Sequence, residues 1–253
     1  MVKQDVAILF SGGRDSLALY ALSMGGRHSE IPRPRNVHLL HMLNGMARFP
    51  EFPENRFKVA RAILERQVPA PEECPASIFV ELDMGRLFQG LWLDTYEILM
   101  PKFQGKNLVC VACKLAMHTK AIIYCVTNYV PLLLAGYASR QSYYPEQTPA
   151  FMERLQQVSE RFGITTRYPL YHDFTKEDIA RHLLEDFGLP STGGGERKCM
   201  FCQTLTTAKE QHILAYLDEM IPKVERFIEL SLNGQVKEAA EIFPPGNRCQ
   251  ITK

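Results

Sequence analysis

The fold of this chain is indicated most clearly by one stretch near its start, Val6-Ala7-Ile8-Leu9-Phe10-Ser11-Gly12-Gly13-Arg14-Asp15-Ser16. Its first five residues are apolar and rich in strand formers, which predicts a buried β-strand. The residues that follow have the composition of a tight turn that opens a helix. Such a turn directs several backbone N–H groups and the positive end of the helix towards one point, where a phosphate is stabilised. The stretch therefore predicts a strand, a phosphate-binding turn and a helix in succession.

The side chains of the turn support this prediction. Gly12 and Gly13 let the backbone approach an anion closely. Ser11 and Ser16 can donate hydroxyl hydrogen bonds, and Asp15 is placed to hold Mg²⁺, which neutralises phosphate charge. A strand-to-helix turn that uses glycine for geometry alone would explain the glycines but not the serines and the aspartate. The turn lacks the Lys of a Walker A loop and does not follow the G-x-G-x-x-G dinucleotide pattern.

On the C-terminal side of this turn, β-rich segments alternate with segments whose apolar residues recur at helical spacing. This alternation is typical of a parallel sheet with crossover helices. The predicted strands are Val6–Phe10, Val37–Leu43, Ile78–Leu82, Pro131–Gly136 and Thr165–Leu170. The predicted helices are Asp15–Met24, Asn55–Gln67, Leu87–Met100, Val111–Asn128, Ala150–Phe162 and Lys176–Phe187, the last capped by Thr175. We therefore expect an α/β fold: a Rossmann-like parallel sheet of about five strands with helices on both faces.

The end of the chain differs from the rest, because an apolar stripe at helical spacing continues from Thr206 onwards. We predict an ATP-binding α/β domain over residues 1–205 and a C-terminal helical extension over residues 206–253. The extension would pack on the α/β core or on a partner subunit.

The composition excludes several classes of protein. Of the 253 residues, 46% are hydrophobic and 23% charged, which argues against disorder, collagen and coiled coils. The net charge of +1 supplies no global field for holding nucleic acid or an anionic membrane. We find no apolar run that approaches the roughly 18 to 20 residues needed to cross a bilayer, and no signal-peptide pattern. We therefore expect a cytoplasmic protein with no membrane partner.

Four of the seven cysteines form two C-x-x-C pairs, Cys110-Val-Ala-Cys113 and Cys199-Met-Phe-Cys202. A reducing compartment disfavours disulfides, so clustered thiols indicate metal binding or catalysis. Two pairs that meet in the fold would make a four-sulfur site suited to tetrahedral zinc or an iron–sulfur cluster. Alternatively, Cys113 is a core residue of its helix and Cys199 with Cys202 is a redox pair. Nearby, Lys114, His118 and Lys120 would form a basic helix face or an ordinary solvated surface.

The turn resembles the S-G-G-x-D-S signature of the PP-loop ATP pyrophosphatases, which cleave ATP into AMP and pyrophosphate. Three further stretches are similar to later segments of that family. They are His41-Met42-Leu43-Asn44, Leu134-Ala135-Gly136, and Arg167-Tyr168-Pro169-Leu170 followed by Thr175-Lys176. The resemblance covers about residues 5 to 190 and implies an adenine nucleotide alpha hydrolase-like fold, with ATP and Mg²⁺ as ligands. The implied ATP-binding residues are Ser11, Gly12, Gly13, Asp15, Ser16, Gly136 and Lys176.

Within the family, the first resemblance is to the tRNA two-thiocytidine synthetase group, in which a first C-x-x-C pair and one later cysteine bind a [4Fe-4S] cluster. It implies metal ligands at Cys110, Cys113 and Cys199, with Cys202 as the fourth candidate, and catalytic roles for Asp15, Cys110 and Cys199. The chain departs from that group after Gly136, where Tyr137-Ala138-Ser139-Arg140-Gln141 stands in place of a G-H-x-x-D-D segment.

The second resemblance is to 7-cyano-7-deazaguanine synthase, which uses ATP and ammonia and binds zinc. It rests on Tyr144-Pro145-Glu146-Gln147-Thr148-Pro149-Ala150-Phe151, which is similar to a Y-P-D-C-R-P-x-F segment. Only Cys199 and Cys202 lie where that enzyme clusters four zinc ligands.

These resemblances imply an enzyme that adenylates the carbonyl oxygen of a nucleobase-type molecule for replacement by sulfur. The alternatives are a zinc-containing, ammonia-dependent ligase and a non-catalytic ATP- or metal-sensing module. The implied cofactor is a [4Fe-4S] cluster or Zn²⁺. The partners to expect are ATP, a nucleobase-type substrate such as tRNA, a sulfur-donor protein and a second copy of the chain.

Overall fold

The computed structural model describes residues 3–26, 28–46, 49–67, 74–191, 199–201 and 208–244. Within them, five parallel strands form one sheet in the order β3-β2-β1-β4-β5. The strands are β1 (Val6–Leu9), β2 (Asn36–Leu43), β3 (Ala76–Asp83), β4 (Leu132–Ala135) and β5 (Thr165–Arg167). The fold is therefore the α/β, Rossmann-like parallel sheet that the alternating pattern predicts.

The helices of the described residues connect these strands and follow the last one. They are α1 (Arg14–Gly25), α2 (Phe52–Gln67), α3 (Gly85–Leu91), α4 (Tyr96–Lys102), α5 (Val109–Thr127), α6 (Pro149–Arg161), α7 (Glu177–Asp186), α8 (Glu210–Leu232) and α9 (Val236–Ile242). The single helix predicted over Leu87–Met100 is wrong, because a short 3-10 turn, Leu93–Thr95, separates α3 from α4. The cap predicted at Thr175 is also wrong, since Lys176 is the residue that precedes α7.

The sheet separates two apolar cores. Because side chains alternate across a strand, Val6 and Ile8 of β1 pack with α1, α2 and α7, whereas Ala7 and Leu9 pack with α3, α5, α6 and α8. Strands β1 and β4 are buried along their whole length. Burial on both faces explains why these strands are continuous apolar runs instead of alternating ones.

The helical tail packs against the second of these cores. Helix α8 contacts α5 and α6, and the buried Tyr216 hydroxyl donates a hydrogen bond to the Leu91 carbonyl at 3.0 Å. The domain boundary expected at residue 205 lies within residues 202–207, outside the described part, so the division stays a prediction.

Helix α5 requires one correction. By length and composition alone, this 19-residue helix could cross a membrane, whereas our sequence analysis found no run of that kind. More than half of its residues are buried within the fold, where the helix packs against β1, β4 and α8. A core helix of a large domain passes the same test of length and composition, so α5 by itself is only weak evidence for a membrane-spanning segment.

The strand order places a crevice at the carboxyl ends of β1 and β4. The chain proceeds from β1 outwards through β2 to β3, and then continues through β4 to β5 on the other side. In open parallel sheets, ligands bind where the strand order reverses in this way. The predicted phosphate-binding turn follows β1, and Gly136 follows β4, so both lie at this edge.

Candidate functional site

The turn between β1 and α1 closes on itself through its serines. Ser11 Oγ lies 3.2 Å from Ser16 Oγ and accepts a hydrogen bond from the Gly13 amide at 3.2 Å. Ser16 Oγ donates to the Gly13 carbonyl at 3.1 Å. Gly12 has a φ of +74°, and a Cβ there would lie 2.9 Å from the Pro53 Cα, so glycine is required for both conformation and space.

Gly136 lets the start of α1 approach the end of β4. A Cβ at this position would lie 3.0 Å from the Asp15 carbonyl carbon and 3.1 Å from the Ser16 nitrogen. Both are backbone atoms, which cannot move without displacing the turn. The absence of a side chain at Gly136 therefore fixes where the first turn of α1 lies relative to the sheet edge.

Asp15, the predicted Mg²⁺ ligand, is paired with a cation of the protein itself. Arg140 Nη2 donates to both Asp15 carboxylate oxygens, at 2.6 and 2.7 Å, and Arg140 Nη1 donates to the Phe174 carbonyl at 3.3 Å. The two charged side chains are 13% and 15% exposed. Asp15 can therefore bind a metal ion through both oxygens only if the guanidinium of Arg140 moves away.

A cavity of about 800 Å³ joins the predicted phosphate-binding turn to the predicted cysteine site. Of the predicted ATP-binding residues, Ser11, Gly13, Asp15, Ser16, Gly136 and Lys176 line it. Lys176 is exposed immediately before α7, next to Thr175, which also lines the cavity. Arg167 does not line it and instead donates to the Glu30 carbonyl.

Three of the four predicted sulfur ligands line the same cavity. Cys110 and Cys113 lie on the first turn of α5, both half-buried, and Cys199 lines the cavity from the short segment 199–201. Cys202 falls outside the described residues. Sheet topology thus places Cys199 on the same cavity as the first pair, although 86 positions separate Cys113 from Cys199 (199 − 113).

The end of β2 links the two cysteine segments. The Asn44 side-chain amide donates to Cys113 Sγ at 3.6 Å, and its carbonyl oxygen accepts from the Met46 amide at 2.9 Å. The Met46 carbonyl in turn accepts from the Met200 amide at 2.8 Å, beside Cys199. In the sequence, Asn44 stands out only as the last residue of a segment that resembles the PP-loop family. This connection depends on neighbouring chain segments and leaves no pattern along the chain.

The thiol donor set suits the predicted metal group, but the thiols are not gathered around one point. None of the described cysteines forms a disulfide. Within the described ranges, no three Cys, His, Asp or Glu side chains are grouped closely enough to hold a metal ion. Thiolates are the ligands of iron–sulfur clusters and of structural zinc, so the chemistry of the three cavity-lining cysteines fits either group.

Beyond Cys113, α5 does not present the basic face that we considered. His118 is fully buried, its Nε2 lies 3.0 Å from the Tyr137 hydroxyl, and burial with the nearby Lys114 lowers its pKa to about 3. Lys114 Nζ lies 5.3 Å from the centroid of the Tyr137 ring, and Lys120 lies over Phe227 instead. Lys114 alone of these three lines the cavity.

Glu146 is a further cavity residue that sequence analysis did not single out. It lies on the 3-10 turn Pro145–Gln147 before α6, and its side chain lines the cavity although the residue is only 8% exposed. Burial raises its pKa, and the positive charge of Lys114 partly opposes the effect. Its position in the resembling segment could have indicated it, but nothing in the sequence shows that this turn folds back onto α5.

The chain is similar to solved structures but matches no family model. No family model and no curated protein matches the chain. Among solved structures, the chain is similar to the U34-tRNA thiolase NcsA from Methanococcus maripaludis with its [4Fe-4S] cluster. The sequence identity is 15% and the TM-score is 0.47, over 98% of this chain and 77% of that chain. A likeness of this size identifies neither the substrate nor the chemistry of a protein.

Proposed function

We propose that this protein is an ATP pyrophosphatase of the PP-loop type, which adenylates a carbonyl oxygen of a nucleobase-type substrate for replacement by sulfur. The observation that supports the proposal is the shared cavity, in which the phosphate-binding turn and three thiols face the same space. An enzyme that first activates an oxygen with ATP and then displaces it with sulfur needs both sets of groups within reach of one substrate atom.

In the first step, the carbonyl oxygen of the substrate attacks the α-phosphate of ATP. A bond forms between that oxygen and phosphorus, and the bond from the α-phosphate to the leaving pyrophosphate breaks. The backbone N–H groups of Gly12, Gly13 and the start of α1 would hold the β- and γ-phosphates, with Lys176 as a further cation. In the second step, sulfide attacks the carbon, a C–S bond forms, and the C–O bond breaks as AMP leaves with the original oxygen.

Mg²⁺ would be held by Asp15 after Arg140 has left it, and when bound the ion neutralises phosphate charge. The released Arg140 guanidinium would stay in the cavity as a donor for phosphate oxygens, for which its planar fork is well suited. Asp15 and Arg140 therefore act as a pair whose partners change when the nucleotide enters.

Cys110, Cys113 and Cys199 would hold a [4Fe-4S] cluster or zinc, with Cys202 as a fourth candidate. Such a group, when bound, supplies sulfide for transfer if it is a cluster, or a structural anchor if it is zinc. The chain itself contributes the Asn44 amide, which hydrogen-bonds to Cys113 and stabilises its thiolate form.

The experiment that tests the first step is pyrophosphate release from ATP and Mg²⁺ in the presence of unfractionated tRNA or nucleosides. We expect Asp15→Ala to lower the rate by about a hundredfold or more, because an electrostatic anchor of the transition state is lost. Asp178→Ala is the matched control, since Asp178 is exposed on α7 and pairs with Arg181. ATP binding without any pyrophosphate release would instead support the sensing module.

The nature of the cysteine site is tested by metal and sulfide analysis of anaerobically purified protein. We expect iron and acid-labile sulfide in the wild type, and loss of both in Cys110→Ser and Cys199→Ser. Cys74→Ser is the control, because Cys74 packs against the other core, away from the cavity. Unchanged metal content in both cavity variants would contradict a shared site.

A second candidate function is an ATP- and ammonia-dependent, nitrile-forming ligase with zinc. The observation that favours it is the contribution of Glu146 and Gln147 to the cavity, because both belong to the segment that resembles 7-cyano-7-deazaguanine synthase. Zinc without sulfide, together with pyrophosphate release that depends on ammonia, would favour this candidate over the sulfurtransferase.

For either activity we propose a cytoplasmic enzyme. The net charge of +1 favours a small substrate or a local RNA contact over a long nucleic-acid footprint. A sulfur-donor protein and a second copy of the chain remain proposed partners of the first candidate.

A further inference from the structure

Glu146 is a buried carboxyl group whose hydrogen-bonding capacity is incompletely used. The residue is 8% exposed, and its Oε2 atom has no hydrogen-bond partner within the described part of the chain. An unsatisfied buried carboxyl oxygen is costly, so native proteins rarely keep one without a partner. Because the residue lines the cavity, a rotation of its side chain would bring Oε2 within reach of a bound molecule, which can then supply that partner.

The turn that carries Glu146 is held in place on both sides. The Gln147 side chain accepts from the Ala138 amide at 3.3 Å and donates to Gln141 at 2.7 Å. Thr148 Oγ1 donates to the Pro145 carbonyl at 3.0 Å and so closes the turn before α6. These hydrogen bonds therefore keep the backbone of Glu146 beside the cavity.

The surroundings of the carboxyl group include the cation of Lys114 and the side chains of two tyrosines. Tyr137 and Lys114 line the same part of the cavity wall, with the ammonium 5.3 Å from the ring centroid. The titratable groups that interact electrostatically with Glu146 are Lys114 on α5, Tyr137 after β4 and Tyr144 before the turn. Tyr137 is only 4% exposed and its ring stacks on that of Tyr168, so the Glu146 carboxyl group, and not an aromatic face, is the group that can recognise a bound molecule here.

We propose that Glu146 binds the ring N–H next to the carbonyl that is activated, so that the substrate is a heterocycle with a lactam N–H. Uracil-type and hypoxanthine- or guanine-type rings have this edge, whereas cytosine has no N–H beside its carbonyl. This inference rests on the proposed function, because it takes the activated group to be a carbonyl in the same cavity.

The chemistry of adenylation gives this carboxyl group a second task. When the lactam oxygen bonds to the α-phosphate, the ring becomes N=C–O–P and the N–H proton must leave. The Glu146 carboxylate accepts that proton, and its raised pKa makes it a better base than an exposed carboxylate. When sulfur replaces AMP, the proton returns from Glu146 to the ring nitrogen, which restores N–H beside C=S.

The test measures binding of uridine and inosine, and of each compound methylated on that ring nitrogen, to protein loaded with Mg²⁺ and α,β-methylene ATP. We expect at least one of the two unmethylated nucleosides to bind about tenfold or more tightly than its methylated counterpart, as a hydrogen bond to a charged group predicts. Glu146→Leu should remove the difference. Glu146→Gln should keep much of the difference, since its amide oxygen still accepts, while pyrophosphate release stops.

Glu153→Gln is the matched control, because Glu153 is exposed on α6, four residues after the helix begins at Pro149. Three results would each overturn the proposal. They are equal binding of methylated and unmethylated nucleosides, no binding of either nucleoside, and discrimination that persists in Glu146→Leu. These results differ from failure of the proposed function itself, in which the wild type would release no pyrophosphate from ATP and Mg²⁺ whichever nucleoside is added.

Discussion

At the scale of single residues, the pairing of Asp15 with Arg140 affects how the predicted phosphate-binding turn could bind a metal ion. A lone carboxylate at this position would be open to Mg²⁺ at all times, whereas here both oxygens accept from one guanidinium nitrogen. Since neither side chain is more than 15% exposed, solvent screening of the pair is modest. Metal binding by Asp15 therefore competes with an internal cation.

We predict that Arg140→Gln raises the affinity of the nucleotide-free protein for Mn²⁺ by about tenfold or more, because Asp15 loses its competing cation. Electron paramagnetic resonance of Mn²⁺ measures the bound fraction directly. The gain should disappear in the double variant Arg140→Gln with Asp15→Asn. A wild type that already binds Mn²⁺ through Asp15 without nucleotide would contradict the competition. Arg154→Gln, which breaks an ion pair with Asp218 outside the cavity, is the control.

At the scale of elements, helix α8 is part of the packed core and not a loosely attached tail. Tyr216 is fully buried, with its ring 5.8 Å from that of Trp92 and 5.6 Å from that of Phe103. Its hydroxyl hydrogen-bonds to the end of α3. Through these contacts α8 supports α3. Phe88 of α3 lines the cavity and contacts Phe201, two residues after Cys199.

We predict that Tyr216→Ala lowers the free energy of unfolding by about 3 to 5 kcal/mol, the range for removing a large buried ring. Urea denaturation followed by circular dichroism gives the value. Ile98→Ala, at a position 71% exposed on α4, should change stability by no more than about 0.5 kcal/mol. Equal effects of the two substitutions would mean that α8 is an appendage.

The elements also show where sequence reasoning was sufficient. The strands and most helices follow from apolar runs and helical spacing, which are local properties of the chain. The break between α3 and α4 was not predictable in this way, because Leu87–Met100 has a helical pattern throughout. The turn at Leu93–Thr95 redirects the chain so that Trp92 and Leu99 both enter one core, which is a requirement of packing.

At the scale of the whole molecule, a neutral histidine in the core makes folding depend on pH. The pKa of His118 in the folded protein is lowered to about 3, whereas an ordinary histidine in an unfolded chain has a pKa of about 6.5. Below pH 6.5 the unfolded chain therefore binds a proton that the folded protein does not, and the free energy of unfolding falls as the pH falls. Burial lowers the pKa of His38 as well, which acts in the same direction.

Between pH 7 and pH 5, we predict that the free energy of unfolding falls by about 2 kcal/mol less in His118→Gln than in the wild type. Urea denaturation at several pH values measures the slope for each protein. His172→Gln, at an exposed position after β5, is the control for replacing a surface histidine. An unchanged slope in His118→Gln would mean that the buried ring is already protonated in the folded state.

Strand pattern, turn chemistry and C-x-x-C spacing are each contained in a few neighbouring residues, so the parallel α/β fold, the glycine-rich turn after β1 and the candidate thiols are predictable from the sequence. Which of these residues share a cavity follows from the tertiary structure alone. It placed Cys199 on the same cavity as Cys110 and Cys113, gave Asp15 the guanidinium of Arg140, and turned Glu146 inwards. These contacts join residues far apart in the chain, and they depend on strand order and on the burial of charge, which leave no local pattern in the sequence.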